Sequence, residues 1–318
     1  MSKKRESIEA DSPSEQAAAE AILGAFQSFQ NWEETIEKYQ TPARTSQFAD
    51  DNALNRHFPV NQLAYEQLMV AFGSLQSLEQ MIVNEKGATI QIVAHPYGPY
   101  ALVRNAIDAA AQALWLIEPE NSKLQLRRRI EAQLKDIHLS KQFKTEIAEP
   151  SKKTERWVKG YTERMKEVAE GFGLGTSSFK DWKQPTMTMM LSKLQHWDQI
   201  ASLTWLAAWQ LCSGHAHGKQ WATFTSHELT EVPGTADEVG ATFHVTLSYK
   251  SLAGVILSTQ KLIQATCERY SELSMPSARS RNVPQDSSRS FWKSFGYTVE
   301  MPCRRAENDT SRTGQRQQ

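Results

Sequence analysis

Between Pro99 and Ile117, alanine occupies positions 106, 109, 110, 111 and 113 of a stretch whose apolar residues recur at helical spacing. Side chains this small let a neighbouring helix approach closely, so the stretch predicts a central helix in a helix-on-helix packing, stopped by Pro119. A second constraint is the run from Gln199 to Gly218, which holds no Asp, Glu, Lys or Arg. Its apolar part is too short to span a bilayer, and it carries Gln210 and two histidines, so a buried core helix is expected and a membrane partner is not.

Other segments carry the same period. Ile22, Phe26 and Phe29 form one stripe of a helix expected to begin after Ser14, and Leu68, Phe72, Leu75, Leu78 and Ile82 form another within 63–83. The polar segment 41–59, with Pro42 and Pro59, reads as a long connection, and Ile90 to Val93 as a short strand before the loop His95-Pro-Tyr-Gly-Pro99. Two charged amphipathic helices are predicted over 121–147 and 151–171. The most apolar helix is predicted over 186–216, with Trp197, Trp205 and Trp209 on it. After Gly218 the period shortens to about two, which with Val232-Pro-Gly-Thr predicts a β-hairpin over about 219–247. A last helix is expected over 252–273. The fold class is therefore mostly α: a single helical-bundle domain over 15–273, of about seven helices and one small hairpin. Residues 1–14 and 274–318 are read as disordered tails, the second basic and carrying Phe291, Trp292 and Phe295.

Composition removes several classes of function. Lys plus Arg equals Asp plus Glu at 36 each, so no global field draws the chain to nucleic acid or anionic lipid. Between Lys123 and Glu170, thirteen basic residues face eight acidic ones, and Arg127-Arg128-Arg129 is a phosphate contact or, with Glu131 and Asp136 close by, a solvated helix face. Three widely spaced cysteines (Cys212, Cys267, Cys303) support neither a disulfide framework nor a cysteine zinc site. A reducing cytoplasm is the expected compartment, and no secretory h-region is read at the N-terminus. No glycine-rich loop follows a strand, so no nucleotide cofactor is expected, and no other cofactor is indicated.

Ionisable residues enter the apolar helices at two places. Arg104, Asn105 and Asp108 lie in the alanine-rich helix. Arg104 and Asp108 share a face with Trp115, and an arginine there can grip a phosphate or carboxylate with two parallel bonds. The structural alternative is an intrahelical Arg104–Asp108 pair. Ser213, His215 and His217 stand at the end of the uncharged helix. The histidines are two apart and point to different sides of a regular helix, but at a fraying end both can converge on one cavity, one as general base. Ser213 and His217 at i and i+4 admit a nucleophile reading that lacks the glycine elbow, and two histidines with His95 or Asp108 admit a weak metal reading. The plain alternative is that Ser213 caps backbone carbonyls and the imidazoles bond to Asp108 or to backbone.

The segment His95-Pro-Tyr-Gly-Pro-Tyr-Ala-Leu-Val-Arg104-Asn-Ala-Ile-Asp108-Ala-Ala-Ala-Gln-Ala-Leu-Trp115, with Leu211-Cys-Ser213-Gly-His-Ala-His217-Gly-Lys-Gln-Trp221, resembles a group of uncharacterised helical proteins from actinobacteria. More distantly it is similar to the HEPN-like bacterial families, which include abortive-infection proteins. HEPN ribonucleases carry an arginine, a polar residue directly after it and a histidine further along the same helix. Arg104-Asn105 matches the first half, while Ala109 and Ala111 stand where the histidine would fall. The resemblance implies a helical bundle and homodimerisation, and fold more than function; the leading expectation is a non-enzymatic or weakly active protein that acts through a partner or a small polar ligand. Two alternatives stay open. One is a metal-independent ribonuclease acting on RNA through Arg104 and His215 or His217; the other is a metal-dependent hydrolase.

Overall fold

The computed structural model describes residues 13–86, 89–147, 152–198 and 203–276. Both tails therefore lie outside the described residues, apart from the first helix's start at Pro13 and the end of the last helix. Ten helices are described: α1 Pro13–Lys38, α2 Gln47–Leu54, α3 Val60–Ile82, α4 Gly98–Ile117, α5 Ser122–Glu146, α6 Lys152–Gly171, α7 Met187–Lys193, α8 Trp205–Ala216, α9 Gln220–Ser226 and α10 Tyr249–Ser274. Two antiparallel strand pairs complete the set: β1 Val83–Lys86 with β2 Thr89–Ile92, and β3 His227–Glu231 with β4 Phe243–Leu247. The fold is mostly α, as the periodicities require. None of the described helices is long and apolar enough to cross a membrane.

The alanine-rich α4 is the centre. Its alanines at 106, 109, 110, 111 and 113 are all buried, and α3, α8 and α10 pack around it. The α3 stripe, Leu68, Phe72, Leu75, Leu78 and Ile82, closes one side, and α1 lies on α10, with Ile22, Phe26 and Phe29 buried in the same core. A smaller core forms apart, where Leu126, Ile130 and Ile137 of α5 meet Met165 and Ala169 of α6, with Phe58, Phe179 and Trp182.

Four sequence expectations need correction. The connection over 41–59 contains α2, started by Ser46, whose hydroxyl accepts the Ala49 N–H. The helix expected over 186–216 is divided into α7, a 3-10 turn at Leu194–Trp197, and α8. Two polar side chains impose the restart: Asp198 accepts the Trp205 N–H at 2.9 Å and Thr204 accepts the Ala207 N–H at 3.2 Å. Residues 220–226 form α9, where a strand was expected, because burial there falls on Ala222 and Ser226, one helical turn apart. The hairpin therefore begins at His227, with Leu229 opposite Val245 and His227 opposite Leu247. The three arginines form a solvated face only in part: Arg127 is exposed, while Arg128 and Arg129 are half-buried. Arg127 lies over Trp182 and pairs with Glu131, Arg128 lies over Trp115 and pairs with Glu118, and Arg129 lies over Phe58.

Candidate functional site

The two polar stretches meet along the α4–α8 interface, and the helical spacing of each sets how. Tyr100, Arg104 and Asp108 succeed one another by four residues on one side of α4, while His215, Cys212 and Trp209 succeed one another by three on α8. At one end the Trp209 indole N–H donates to Asp108 Oδ1 at 2.8 Å. In the middle Arg104 pairs with Asp108 (3.7 Å) and lies 6.0 Å from the centre of the Trp209 ring. At the other end the His215 imidazole stacks on Tyr100 with ring centres 4.0 Å apart.

Burial raises the Asp108 carboxyl above the usual range, and the Trp209 bond and the Arg104 charge hold it down in part. Burial also pushes the Cys212 thiol well up, so it stays protonated and unreactive, and it does the same to the Tyr100 hydroxyl.

Beyond Tyr100 the arrangement becomes a row of polar contacts that the sequence did not announce. The His215 Nε2 lies 2.7 Å from Ser226 Oγ, and Ser226 Oγ lies 3.3 Å from His227 Nδ1. His227 Nε2 in turn meets the Pro96 carbonyl at 2.9 Å. A carbonyl only accepts, so His227 carries its proton on Nε2 and offers Nδ1 as an acceptor. The Ser226 hydroxyl has one proton and gives it to the Ala222 carbonyl at 2.8 Å, so His215 donates from Nε2 and the longer Ser226–His227 approach is a contact between two acceptors. The rings of His215 and His227 stack at 4.8 Å, and the half-exposed Tyr97 lies about equally far from both. Burial, followed by the neighbouring His227, lowers the His215 pKa to about 4, so the imidazole is neutral at pH 7.

Of the residues singled out in the sequence, Arg104, Asp108 and His215 line this one interface. The others do not join it. His217 caps α8 through its backbone N–H, which bonds the Ser213 carbonyl at 3.1 Å, and its side chain is exposed; the two imidazoles do not converge. Ser213 is half-buried, and it is its carbonyl, not its hydroxyl, that closes the helix end. Asn105 is exposed and donates to Ser74 of α3 at 2.7 Å. Trp115 is buried under Arg128, three turns from Arg104. His95 is exposed and reaches only Tyr97, at 6.2 Å between ring centres.

Tyr100, Ser226 and His227 were missed. Tyr100 looked like one more apolar helix residue, and Ser226-His227 lay inside a stretch read as a strand. Only the tertiary approach of α9 to α8 gives those residues partners. Ser226 is not an activated nucleophile, since its proton goes to a carbonyl and it is 3% exposed. Among the described residues no group of three His, Cys, Asp or Glu side chains is arranged to hold a metal ion. Compared with models of known protein families, with curated proteins and with solved structures, the chain matches none.

Proposed function

We propose that this chain is a non-catalytic or weakly active HEPN-like bundle that works by binding, with a protein or a small polar ligand as its partner. One observation carries the reading: the Asp108 carboxylate and the His215 Nε2 at the α4–α8 interface already have protein partners. Asp108 is bonded by Trp209 and paired with Arg104, and His215 is bonded to Ser226 between two stacked rings. A ribonuclease needs an imidazole free to take the ribose 2′-OH proton beside an arginine free to meet the phosphorane. His215 is 4% exposed, and His217 stands outside the interface.

The test is incubation of the purified chain with structured and single-stranded RNA, beside Arg104→Ala and His217→Ala. The expected result is no cleavage by the native chain above the level of either variant. Cleavage that disappears in both variants, with the helical circular-dichroism signal intact, would overturn the proposal in favour of the nuclease. The metal-dependent hydrolase has no particular observation in its favour.

A further inference from the structure

Among the described residues β4 pairs with β3 alone, so the sheet ends there and the other edge of β4 has no strand beside it. The ladder decides which backbone groups stand on that edge. Just past the paired residues, the Val232 N–H donates to the Thr242 carbonyl at 2.8 Å, in the register that sets Glu231 opposite Phe243. Opposed residues of an antiparallel ladder alternate between pairs that exchange bonds and pairs that do not. Val232 and Thr242 are bonded, so Thr230–His244 and Glu228–Thr246 are the bonded pairs further along. Phe243 and Val245 therefore turn their N–H and C=O groups away from β3, onto the open edge.

Open edges are commonly blunted by lysine, by proline or by a bulge. The strand Phe243-His-Val-Thr-Leu247 has no such guard: it contains no Lys, Arg, Pro or acidic residue, and its five residues pair one to one with β3. Phe243 and Val245 lie on one face, the first exposed and the second half-buried. The edge of β3 differs, since Glu228 and Glu231 stand on that strand. A two-stranded ribbon is marginal by itself, and only the His227–Leu247 end of this one is buried.

The β4 edge is its own complement. Two copies brought together antiparallel about a two-fold set Phe243 of each opposite Val245 of the other, and both residues carry outward N–H and C=O groups. Each such pair exchanges two backbone bonds and lays an aromatic ring against a β-branched side chain. His244 meets its counterpart on the opposite face, and no carboxylate or ammonium meets its like. A partner strand of defined charge would find no opposite charge on β4 to select it. We propose that this edge is a self-association surface: two copies of the chain join through β4 into one four-stranded antiparallel sheet. The surface shares no residue with the α4–α8–α9 cluster, so it does not rest on the reading of that cluster.

The experiment is sedimentation equilibrium of the full chain across the micromolar range, beside Val245→Pro. The Val245 N–H points away from β3, so proline there spares the β3–β4 bonds and removes one donor per copy from the added pairing. A reversible dimer is expected, with its dissociation constant raised about tenfold or more by Val245→Pro. Phe243→Lys charges the edge and is expected to act likewise; it decides the matter if Val245→Pro fails to fold. Glu231→Pro makes the same backbone change on the outer edge of β3 and should leave the dimer as it is. A native monomer, a dimer indifferent to both β4 variants, or a dimer weakened as much by Glu231→Pro would each overturn the proposal. A chain that stays monomeric yet takes up a synthetic peptide of the β4 sequence would give the edge to a partner strand and overturn the second copy as its occupant.

Discussion

Three groups surround the His215 imidazole: the Tyr100 ring, the His227 ring and the Ser226 hydroxyl. The other charged or titratable side chains along the same interface are Arg104, Asp108 and Cys212 of α4 and α8, and among the described residues no carboxylate is bonded to either histidine. Protonating His215 adds a donor on Nδ1, which is buried and has no partner, and sets a cation against the His227 ring. The fold therefore favours the neutral ring, with a pKa lowered from 6.5 to about 4. A lowered folded-state pKa means that the stabilisation is complete above pH 6.5 and is lost as pH falls from there toward 4. It amounts to about 3 kcal/mol. Denaturant midpoints measured across that window should fall more steeply for the native chain than for His215→Phe, which keeps the stack and cannot titrate. Parallel pH profiles would show that His215 is not held this way. The Arg104–Asp108 pair was legible as a pair from its spacing. The His215–Ser226–His227 row was not, because Ser226 and His227 reach His215 only through a turn between helices.

At the scale of elements, the close approach of α9 to α8 is what builds that row. It depends on Gly214, where an added Cβ would stand 2.7 Å from Trp221 Cζ2 and 2.8 Å from the Ala222 Cβ. The tryptophan ring edge is half exposed and can yield, but Ala222 is fully buried and fixed to the helix. Gly214→Ala should therefore cost about 1 to 3 kcal/mol by overpacking. Urea denaturation reads the cost, and an unchanged midpoint would mean that α9 is free to move off α8. The long helices α1, α3, α4, α5 and α10 could be placed from periodicity because each buries a stripe over several turns. The short ones could not. In α9 only two buried positions mark the period, and between α7 and α8 a local competition decides, as Asp198 and Thr204 offer the backbone caps that end and restart a helix.

For the whole molecule, α4 is enclosed by α3, α8 and α10. Its alanines serve close packing within one chain and leave no surface for a two-fold through them. The homodimer that the resemblance implies must use another face. Light scattering at micromolar concentration is expected to give twice the mass of one chain; a monomer across that range removes dimerisation from the proposal. The amino-acid sequence by itself determined the helical class, the central place of the alanine-rich helix and the Arg104–Asp108 pair, since all three follow from spacing along one chain segment. Tertiary structure alone decided which histidine is buried and what bonds it. Those properties depend on residues far apart in sequence, and no local period records them.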